Sequence, residues 1–346
     1  MRVVALEELR YESLARIVAE KLKAGQVIVC PTDTVYGLLC LGFNLEAIQR
    51  IYSIKLRKKE KPLIGFVPDL KTACQYAAIS EPHLPLVEKS WPGPVTFICP
   101  SRQKLPFLTS ERNEIGLRVP NHPFLKILLP LTGLLASTSA NLSSEPDASC
   151  LEEISPKVAE AVDLLLDGGG VAGNPSTIWH LGNVWPQLVR GQVLFVCQGN
   201  SCRSPMAEHL LRYLVKLAGL NIQVSSAGLK VIPGKNISEK AVQALREKGI
   251  EVTNFSPTAV SPTTLSKADL IFVMEPAQIE WLESISPGAR EKTWSLNVPD
   301  PAGENLEGYR HCLEVINQAI QQKVLPHFWV PARRVRSASL ARLPSR

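Results

Sequence analysis

Short apolar runs of strand length alternate along this chain with segments in which apolar residues recur every three or four positions. The second pattern predicts helices over residues 44–56, 205–218, 238–248 and 306–324. The first predicts strands over residues 26–30, 95–99, 114–119, 133–137, 193–197, 222–225 and 269–274. Strands alternating with helices indicate an α/β fold, and the regular βαβα order after residue 192 predicts a doubly wound parallel sheet.

The length of 346 residues favours two domains over a single core. We place the domains at residues 1–191 and 192–325, followed by a basic tail over 326–346. Residues 331–346 hold five arginines and no acid, so the formal charge of +6 falls to +1 without them. We expect this tail to be disordered, with an RNA-binding arm as the alternative.

Composition narrows the class of protein further. The longest apolar runs are far shorter than a membrane span, and no signal-peptide pattern opens the chain. We therefore expect a cytoplasmic protein without a membrane partner. The eight cysteines lack the paired spacing of a metal site, so we expect no structural metal.

The predicted strand at 193–197 runs into a polar loop that reads Cys-Gln-Gly-Asn-Ser-Cys-Arg-Ser-Pro over residues 197–205, here called the cysteine loop. Ser204 is a good N-cap and Pro205 a good first helical residue. Loop amides and the helix dipole would then converge on one point, which suits a phosphate and favours the thiolate of Cys197. Arg203 adds a planar fork for phosphoryl oxygens, Ser204 can donate to the sulfur, and Asn200 tolerates a left-handed backbone.

A thiolate phosphatase also needs an acid for its leaving group. Asp300, followed by Pro301 on a late loop, is the candidate. Alone it would be interpreted as a turn residue, but the cysteine loop earlier in the same domain favours the catalytic interpretation.

Residues 193–324 resemble the low-molecular-weight protein tyrosine phosphatases through the cysteine loop, Ser225-Ser226-Ala227-Gly228, residues 268–274 and Asp300-Pro301. The resemblance implies that Cys197 is the nucleophile, Arg203 the phosphate ligand and Asp300 the general acid, without a cofactor. Cys202 would protect Cys197 as a reversible disulfide. The resemblance assigns the phosphate loop to Gly199, Asn200, Ser201, Cys202 and Ser204.

Two departures from that family bear on the substrate. Relatives that act on phosphotyrosine usually have a bulky apolar residue where Ser201 stands and an aromatic residue where Ala302 stands. Bacterial relatives that act on phosphoarginine have Thr at the position of Ser201. The substrate is therefore expected to be a phosphoprotein carrying phosphotyrosine or phosphoarginine. Arsenate reductases of the same fold also have Ser there, but they need two further relay cysteines, and only Cys312 follows Cys202.

The first half carries polar and basic residues at predicted strand and helix ends. A Pro-Thr-Asp-Thr-Val-Tyr-Gly-Leu run covers residues 31–38, and the helix at 44–56 leads into five basic residues over 55–61. The run of charge alone would be interpreted as a solvated helix end. Hydroxyls and arginines at several strand ends, however, suit a polyanion such as a nucleoside triphosphate.

Residues 5–191 resemble the YrdC-like threonylcarbamoyl-AMP synthases through that run, the Lys55-x-Arg57 pair and the Ser139-x-Asn141 pair. The resemblance implies a twisted α/β sheet with a concave cleft that converts L-threonine, bicarbonate and ATP into threonylcarbamoyl-AMP and pyrophosphate. A tRNA-modifying threonylcarbamoyl transferase complex would use the product. The resemblance assigns Lys55, Arg57, Ser139, Asn141 and Arg190 to ATP, with Mg²⁺, and Thr32, Arg118 and Ser176 to threonine.

Phe66 departs from this second family, because many relatives place a His there. The sequence thus predicts a bifunctional enzyme, a synthase fused to a phosphatase. The main alternative is that the first half is an RNA-binding, ribosome-binding or regulatory module and that only the phosphatase is catalytic. A related carbamoyltransferase is a further alternative, but its usual Cys-x2-Cys modules do not occur in the sequence.

Overall fold

A computed structural model describes residues 3–143, 145–182 and 185–329 and divides the chain into two compact units, Met1–Pro186 and Gln187–Arg346. In the described part of the first unit the strands are β1 Val3–Ala5, β2 Ile28–Cys30, β3 Gly37–Leu41, β4 Ile64–Phe66, β5 Val95–Pro100, β6 Glu114–Arg118, β7 Leu135–Ser139, β8 Leu164–Asp167 and β9 Thr177–His180. Its α-helices are α1 Tyr11–Lys23, α2 Leu45–Lys55, α3 Leu70–Tyr76, α4 Leu84–Ser90, α5 Pro123–Thr132 and α6 Pro156–Ala161. Short 3-10 turns cover Glu8–Arg10, Glu81–His83 and Leu151–Glu153.

The first unit is built on one mixed sheet with the strand order β1-β8-β2-β3-β7-β4-β6-β5-β9. Alternate residues of a strand point to opposite faces. Ile28 and Cys30 accordingly pack with α1 and α5 in one core cluster, whereas Val27 and Val29 belong to a second cluster that includes residues of α2. The sheet is therefore buried on both faces, as the α/β prediction required.

The helix predicted at 44–56 is confirmed as α2, Leu45–Lys55, and its two ends are set by local residues. Asn44 caps α2 by accepting the N–H of Ala47 at 3.0 Å, and Leu56 ends it in the left-handed conformation at φ 52°. The strand predicted at 133–137 lies two residues later, at Leu135–Ser139, because Gly133 is the positive-φ cap of α5.

The second unit contains a fully parallel sheet with the strand order β11-β10-β12-β13. Its strands are β10 Gln187–Cys197, β11 Asn221–Gly228, β12 Leu270–Val273 and β13 Thr293–Ser295. Its helices are α7 Arg203–Leu217, α8 Glu239–Glu247, α9 Pro262–Lys267, α10 Ala277–Ile285 and α11 Leu306–Ala319, with a 3-10 turn at Ala289–Lys292. The first strand lies between the second and third, so the order reverses at β10, and ligands of such folds bind beyond the carboxyl ends of strands at that point.

Two details differ from the sequence prediction. The structural division falls at Pro186 rather than at residue 191, because Gln187–Gly191 form the first half of β10. The predicted tail begins in ordered structure, since a π-helical turn Ile320–Val324 and a 3-10 turn Leu325–His327 follow α11, and Phe328 is buried and bridges Leu188. Disorder of the tail stays a prediction: the structure describes its first residues, 326–329, and residues 330–346 lie outside the described residues.

Candidate active sites

In the first unit, a turn after β2 meets an arginine from the end of β6. Arg118 is almost fully buried; its Nε donates to Gly93 O at 3.0 Å, one terminal nitrogen donates to Thr34 Oγ1 at 2.9 Å, and the other to Asp33 Oδ1 at 2.5 Å. Burial lowers the pKa of Arg118, and the Asp33 carboxylate opposes that shift. These three bonds leave two of its five N–H groups for a ligand.

Thr32 organises the same turn from within. Its hydroxyl donates to Val35 O at 2.7 Å, lies 2.9 Å from Thr34 Oγ1, and accepts the N–H of Thr34 at 3.0 Å. The structure therefore brings the predicted threonine ligands Thr32 and Arg118 together through Thr34. The Oγ of Ser176, the third predicted threonine ligand, lies 3.0 Å from Thr96 Oγ1 on β5.

A second cluster joins the end of α2 to the end of β7. Lys55 is 2% exposed, and its Nζ donates to Ser139 O at 2.5 Å, Asn141 O at 2.6 Å and Asn141 Oδ1 at 2.7 Å. Ser139 Oγ also donates to Asn141 Oδ1 at 2.7 Å. Burial, followed by the positive charge of Arg57, lowers the pKa of Lys55 to about 8. The predicted ATP residues Lys55, Ser139 and Asn141 thus form one hydrogen-bonded group.

The two remaining predicted ATP ligands, Arg57 and Arg190, make other contacts than this hydrogen-bonded group. Arg57 is half-buried and donates to Lys61 O and Pro62 O at 3.0 Å each. Arg190 lies in β10 of the second unit, in register with Asn221 of β11. The first unit by itself therefore contains all the predicted ATP residues except Arg190.

In the second unit, the cysteine loop closes around the sulfur of Cys197. Ser204 Oγ donates to Cys197 Sγ at 3.0 Å, and the N–H of Asn200 points to the same sulfur at 3.3 Å. Asn200 has φ 52°, the left-handed conformation predicted for it. The predicted cap was wrong: α7 begins at Arg203 with Cys202 as its N-cap, and the Ser204 hydroxyl turns to the sulfur instead of to a helix amide.

Arg203 is almost fully buried, and its two terminal nitrogens engage two carboxylates. One donates to Glu275 and to Val298 O at 3.2 Å, and the other donates to Asp300 Oδ2 at 2.5 Å. The predicted phosphate ligand and the predicted acid are thus in direct contact. Both carboxylates are about half exposed.

The rest of the cysteine loop is held by contacts with neighbouring elements. Ser201 Oγ lies 3.8 Å from Cys202 Sγ, which in turn lies 3.5 Å from Tyr309 Oη on α11. Gly199 and Asn200 pass so close to β11 that a Cβ on Gly228 would lie 2.8 Å from Asn200 N. The structure therefore brings all the predicted residues of the phosphatase site to one end of β10.

Comparison with known proteins gives a family for each unit. Residues 20–191 match the family model Sua5/YciO/YrdC, described as telomere recombination, and residues 192–326 match the low molecular weight phosphotyrosine protein phosphatase model. Over 178 residues the chain is 34% identical to the threonylcarbamoyl-AMP synthase of Histophilus somni, covering 50% of this chain and 96% of that one.

The chain belongs to the Sua5/YciO/YrdC family. Escherichia coli YciO has the same fold in its crystal structure, with a TM-score of 0.51 and 28% identity over 55% of this chain and 93% of that one. Pyrococcus abyssi Sua5, solved with L-threonine, shares the fold at a TM-score of 0.52 and 19% identity, over 92% of this chain and 97% of that one. The second unit is a low molecular weight phosphatase domain fused to this synthase-family domain.

The sequence of this Sua5/YciO/YrdC family member did not predict several residues around the cysteine loop. Glu275 is the second residue after β12, so its place beyond the carboxyl end of a strand beside the switch point could have indicated it. Asn200 Nδ2 donates to Ser226 Oγ at 2.8 Å, and Ser226 Oγ donates to Glu208 Oε2 at 2.5 Å. No local pattern predicts such a chain of buried polar contacts.

Among the described residues, no three His, Cys, Asp or Glu side chains come together as a metal site. Within the same residues, no helix is long and apolar enough to cross a membrane.

Proposed function

We propose that the protein is bifunctional. The first unit would condense L-threonine, bicarbonate and ATP into threonylcarbamoyl-AMP and pyrophosphate, and the product would pass to the complex that modifies tRNA. The second unit would hydrolyse a phosphoprotein through Cys197. The synthase proposal rests on the family and on two cationic groups, Lys55 and Arg118, held at strand and helix ends of one unit.

The Arg118 group fits an amino acid carboxylate. Two N–H groups of its guanidinium remain after the bonds to Gly93, Thr34 and Asp33, and a carboxylate accepts two parallel N–H bonds. The threonine bound by Pyrococcus abyssi Sua5 supports this class of ligand. We assign the threonine carboxylate to Arg118, beside Thr32.

The chemistry requires stabilisation of negative charge rather than a nucleophilic side chain. The threonine amine and bicarbonate give a carbamate and water; a carbamate oxygen then attacks the α-phosphorus, and the bond to pyrophosphate breaks. Charge builds on phosphoryl oxygens, where Lys55 and Arg57 supply positive field. Mg²⁺ carried by ATP needs few protein oxygens, and the hydroxyl oxygen of Ser139 fits that need.

The test is mass spectrometry of the products formed from ATP, L-threonine and bicarbonate. Threonylcarbamoyl-AMP and one equivalent of pyrophosphate are expected, and both should depend on all three substrates. RNA or ribosome binding without these products would instead support the alternative that the first unit is a binding module.

In the second unit, we assign the nucleophile to Cys197 because two donors converge on its sulfur. The thiolate attacks phosphorus, an S–P bond forms, and the bond to the leaving group breaks as Asp300 gives it a proton. Water then cleaves the S–P bond, with Asp300 as base. Arg203 exchanges its carboxylate partners for two phosphoryl oxygens as the substrate binds.

Phosphotyrosine and phosphoarginine both remain candidate substrates. Ser201 places a small hydroxyl in the cysteine loop, and Ala302 places a methyl group after Asp300-Pro301, so neither position supplies the aromatic or bulky wall expected for a phenyl ring. Turnover of the two phosphoamino acids in matched peptides tests the preference. Efficient phosphotyrosine hydrolysis without phosphoarginine hydrolysis would exclude phosphoarginine.

A further inference from the structure

We propose that the two basic residues of the Lys55-x-Arg57 pair have different tasks: Lys55 positions the segment 139–143, and Arg57 binds the phosphates of the nucleotide. This proposal rests on the synthase function proposed above. The sequence motif assigns both residues to ATP phosphates. The hydrogen bonds of the first unit separate them.

The ammonium of Lys55 has no N–H left for a ligand. An ammonium carries three N–H groups, and the three acceptors are Ser139 O, Asn141 O and Asn141 Oδ1, at 2.5, 2.6 and 2.7 Å. A phosphate oxygen would have to displace one of these charge-assisted bonds. The residue is 2% exposed, so an approaching phosphate would also have to open the packing around it.

Lys55 also binds the segment through its main chain. Its carbonyl oxygen, at the end of α2, accepts the N–H of Ser143 at 3.1 Å and the Oγ–H of Ser143 at 2.8 Å. The side chain thus binds the beginning and middle of the segment, and the main chain binds its end. One residue makes five hydrogen bonds to Ser139, Asn141 and Ser143 together.

This arrangement fixes the side chain of Asn141. An ammonium can only donate, so the atom of Asn141 facing Lys55 must be the oxygen. The amide nitrogen then donates to Glu145 O at 2.6 Å, and Ser139 Oγ donates its hydrogen to Asn141 Oδ1. The lone pairs of Ser139 Oγ and one N–H of Asn141 remain for a ligand, and Lys55 determines where they lie.

Arg57, unlike Lys55, keeps N–H groups for a ligand and is partly exposed. Leu56 turns the chain through a left-handed conformation. Arg57 then donates from Nε to Lys61 O and from one terminal nitrogen to Pro62 O. Tyr52 also lies beside the guanidinium. At least two of the five N–H groups remain, and the side chain is only half-buried. A partly exposed guanidinium with free N–H groups suits a phosphate.

The two tasks can be separated with Lys55→Gln and Arg57→Gln in the full chain. Isothermal titration would measure the affinity for ATP and for adenosine, and hydrogen exchange would measure protection of amides 139–143. We expect Arg57→Gln to lower the ratio of ATP to adenosine affinity at least about tenfold, because it removes charge-assisted bonds to phosphate, with protection of amides 139–143 unchanged. Lys55→Gln should change this ratio less than about threefold, remove protection of the segment and lower turnover at saturating ATP.

Two further variants serve as a control for nearby charge and as a second test of the segment 139–143. Lys58→Gln removes a nearby exposed charge, and it should change neither quantity. Ser143→Ala removes the Oγ–H bond to Lys55 O without touching the ammonium, and it should reduce protection without changing the affinity ratio, even if Lys55→Gln does not fold.

The proposal is overturned if Lys55→Gln lowers the affinity ratio tenfold, or if the segment keeps its protection in both Lys55→Gln and Ser143→Ala. A wild-type chain that binds ATP with the expected pattern of variants but makes no threonylcarbamoyl-AMP would refute the proposed function alone. A wild-type chain that does not bind ATP would refute both.

Discussion

Replacing Asn200 tests whether the cysteine loop is shaped by one buried side chain. Asn200 is fully buried; its amide donates to Ser204 Oγ and Ser226 Oγ at 2.9 and 2.8 Å and accepts the N–H of Thr258 at 2.8 Å. Losing three such bonds at about 1 kcal/mol each costs about 3 kcal/mol of unfolding free energy. An alanine at φ 52° adds about 1 kcal/mol, which a glycine does not.

We therefore expect Asn200→Ala to destabilise the second unit by about 4 kcal/mol and Asn200→Gly by about 3 kcal/mol. The Ser204 hydroxyl loses a partner that orients it toward Cys197 Sγ, and kcat/KM on an aryl phosphate should fall about a hundredfold in both variants. Urea unfolding and steady-state kinetics measure the two effects.

Asn254 supplies the matched control. It has a similar backbone, at φ 53°, but its side chain is exposed. Asn254→Ala should cost only the backbone contribution of about 1 kcal/mol and leave kcat/KM unchanged. Asn200 does not shape the loop in this way if both of its variants unfold within about 0.5 kcal/mol of the wild type, a margin of about half a hydrogen bond. The same conclusion follows if Asn254→Ala matches their loss of activity.

Three further outcomes follow from the charges and thiols of the two sites. Glu275→Gln removes a carboxylate that competes for Arg203, so inorganic phosphate should inhibit the phosphatase several-fold more strongly, and an unchanged inhibition constant would contradict this. The pKa of Lys55 is lowered to about 8 in the fold from its ordinary 10.5, so the unfolded chain binds more protons between these values, and the first unit should gain thermal stability as pH rises through that window. Lys55→Met should flatten that pH dependence, and a melting temperature that falls over the window in the wild type would show that the sign is wrong. Burial raises the pKa of Cys312 to about 12, so iodoacetamide at pH 7.5 should label the partly exposed Cys202 and spare Cys312 in peptide mass spectra, whereas early labelling of Cys312 would show that its thiol is not shielded.

Helix caps and contiguous motifs, which are local features of the sequence, accounted for much of what was predicted correctly. The α2 helix was predicted to within one residue at each end because Asn44 and Leu56 supply its caps, and the cysteine loop was recognisable because its residues are contiguous. The predicted strand at 193–197 was too short because polar Gln187, Arg190 and Gln192 interrupt the apolar run. Arg190 and Gln192 nevertheless pair through their main chains with Asn221 and Gln223 of β11.

Long-range polar contacts could not be predicted from the sequence. The direction of the Lys55 ammonium depends on carbonyls more than 80 residues away in the sequence. The Ser204 hydroxyl donates to the Cys197 sulfur rather than capping a helix amide, because the closed loop places the sulfur 3.0 Å away. Spacing identifies which side chains gather at a site. It does not tell which of their hydrogens are already used by the protein.

The contact between Leu188 and Phe328 brings the start of β10 and the end of the described chain side by side, since Trp329 N–H also donates to Leu188 O at 3.0 Å. A domain whose entry and exit points are neighbours can be joined to another chain at one place, with both of its ends anchored in its own fold. We therefore expect that the phosphatase unit can be fused to other proteins. A version expressed alone should start at Gln187, the first residue of the strand that ends at Cys197.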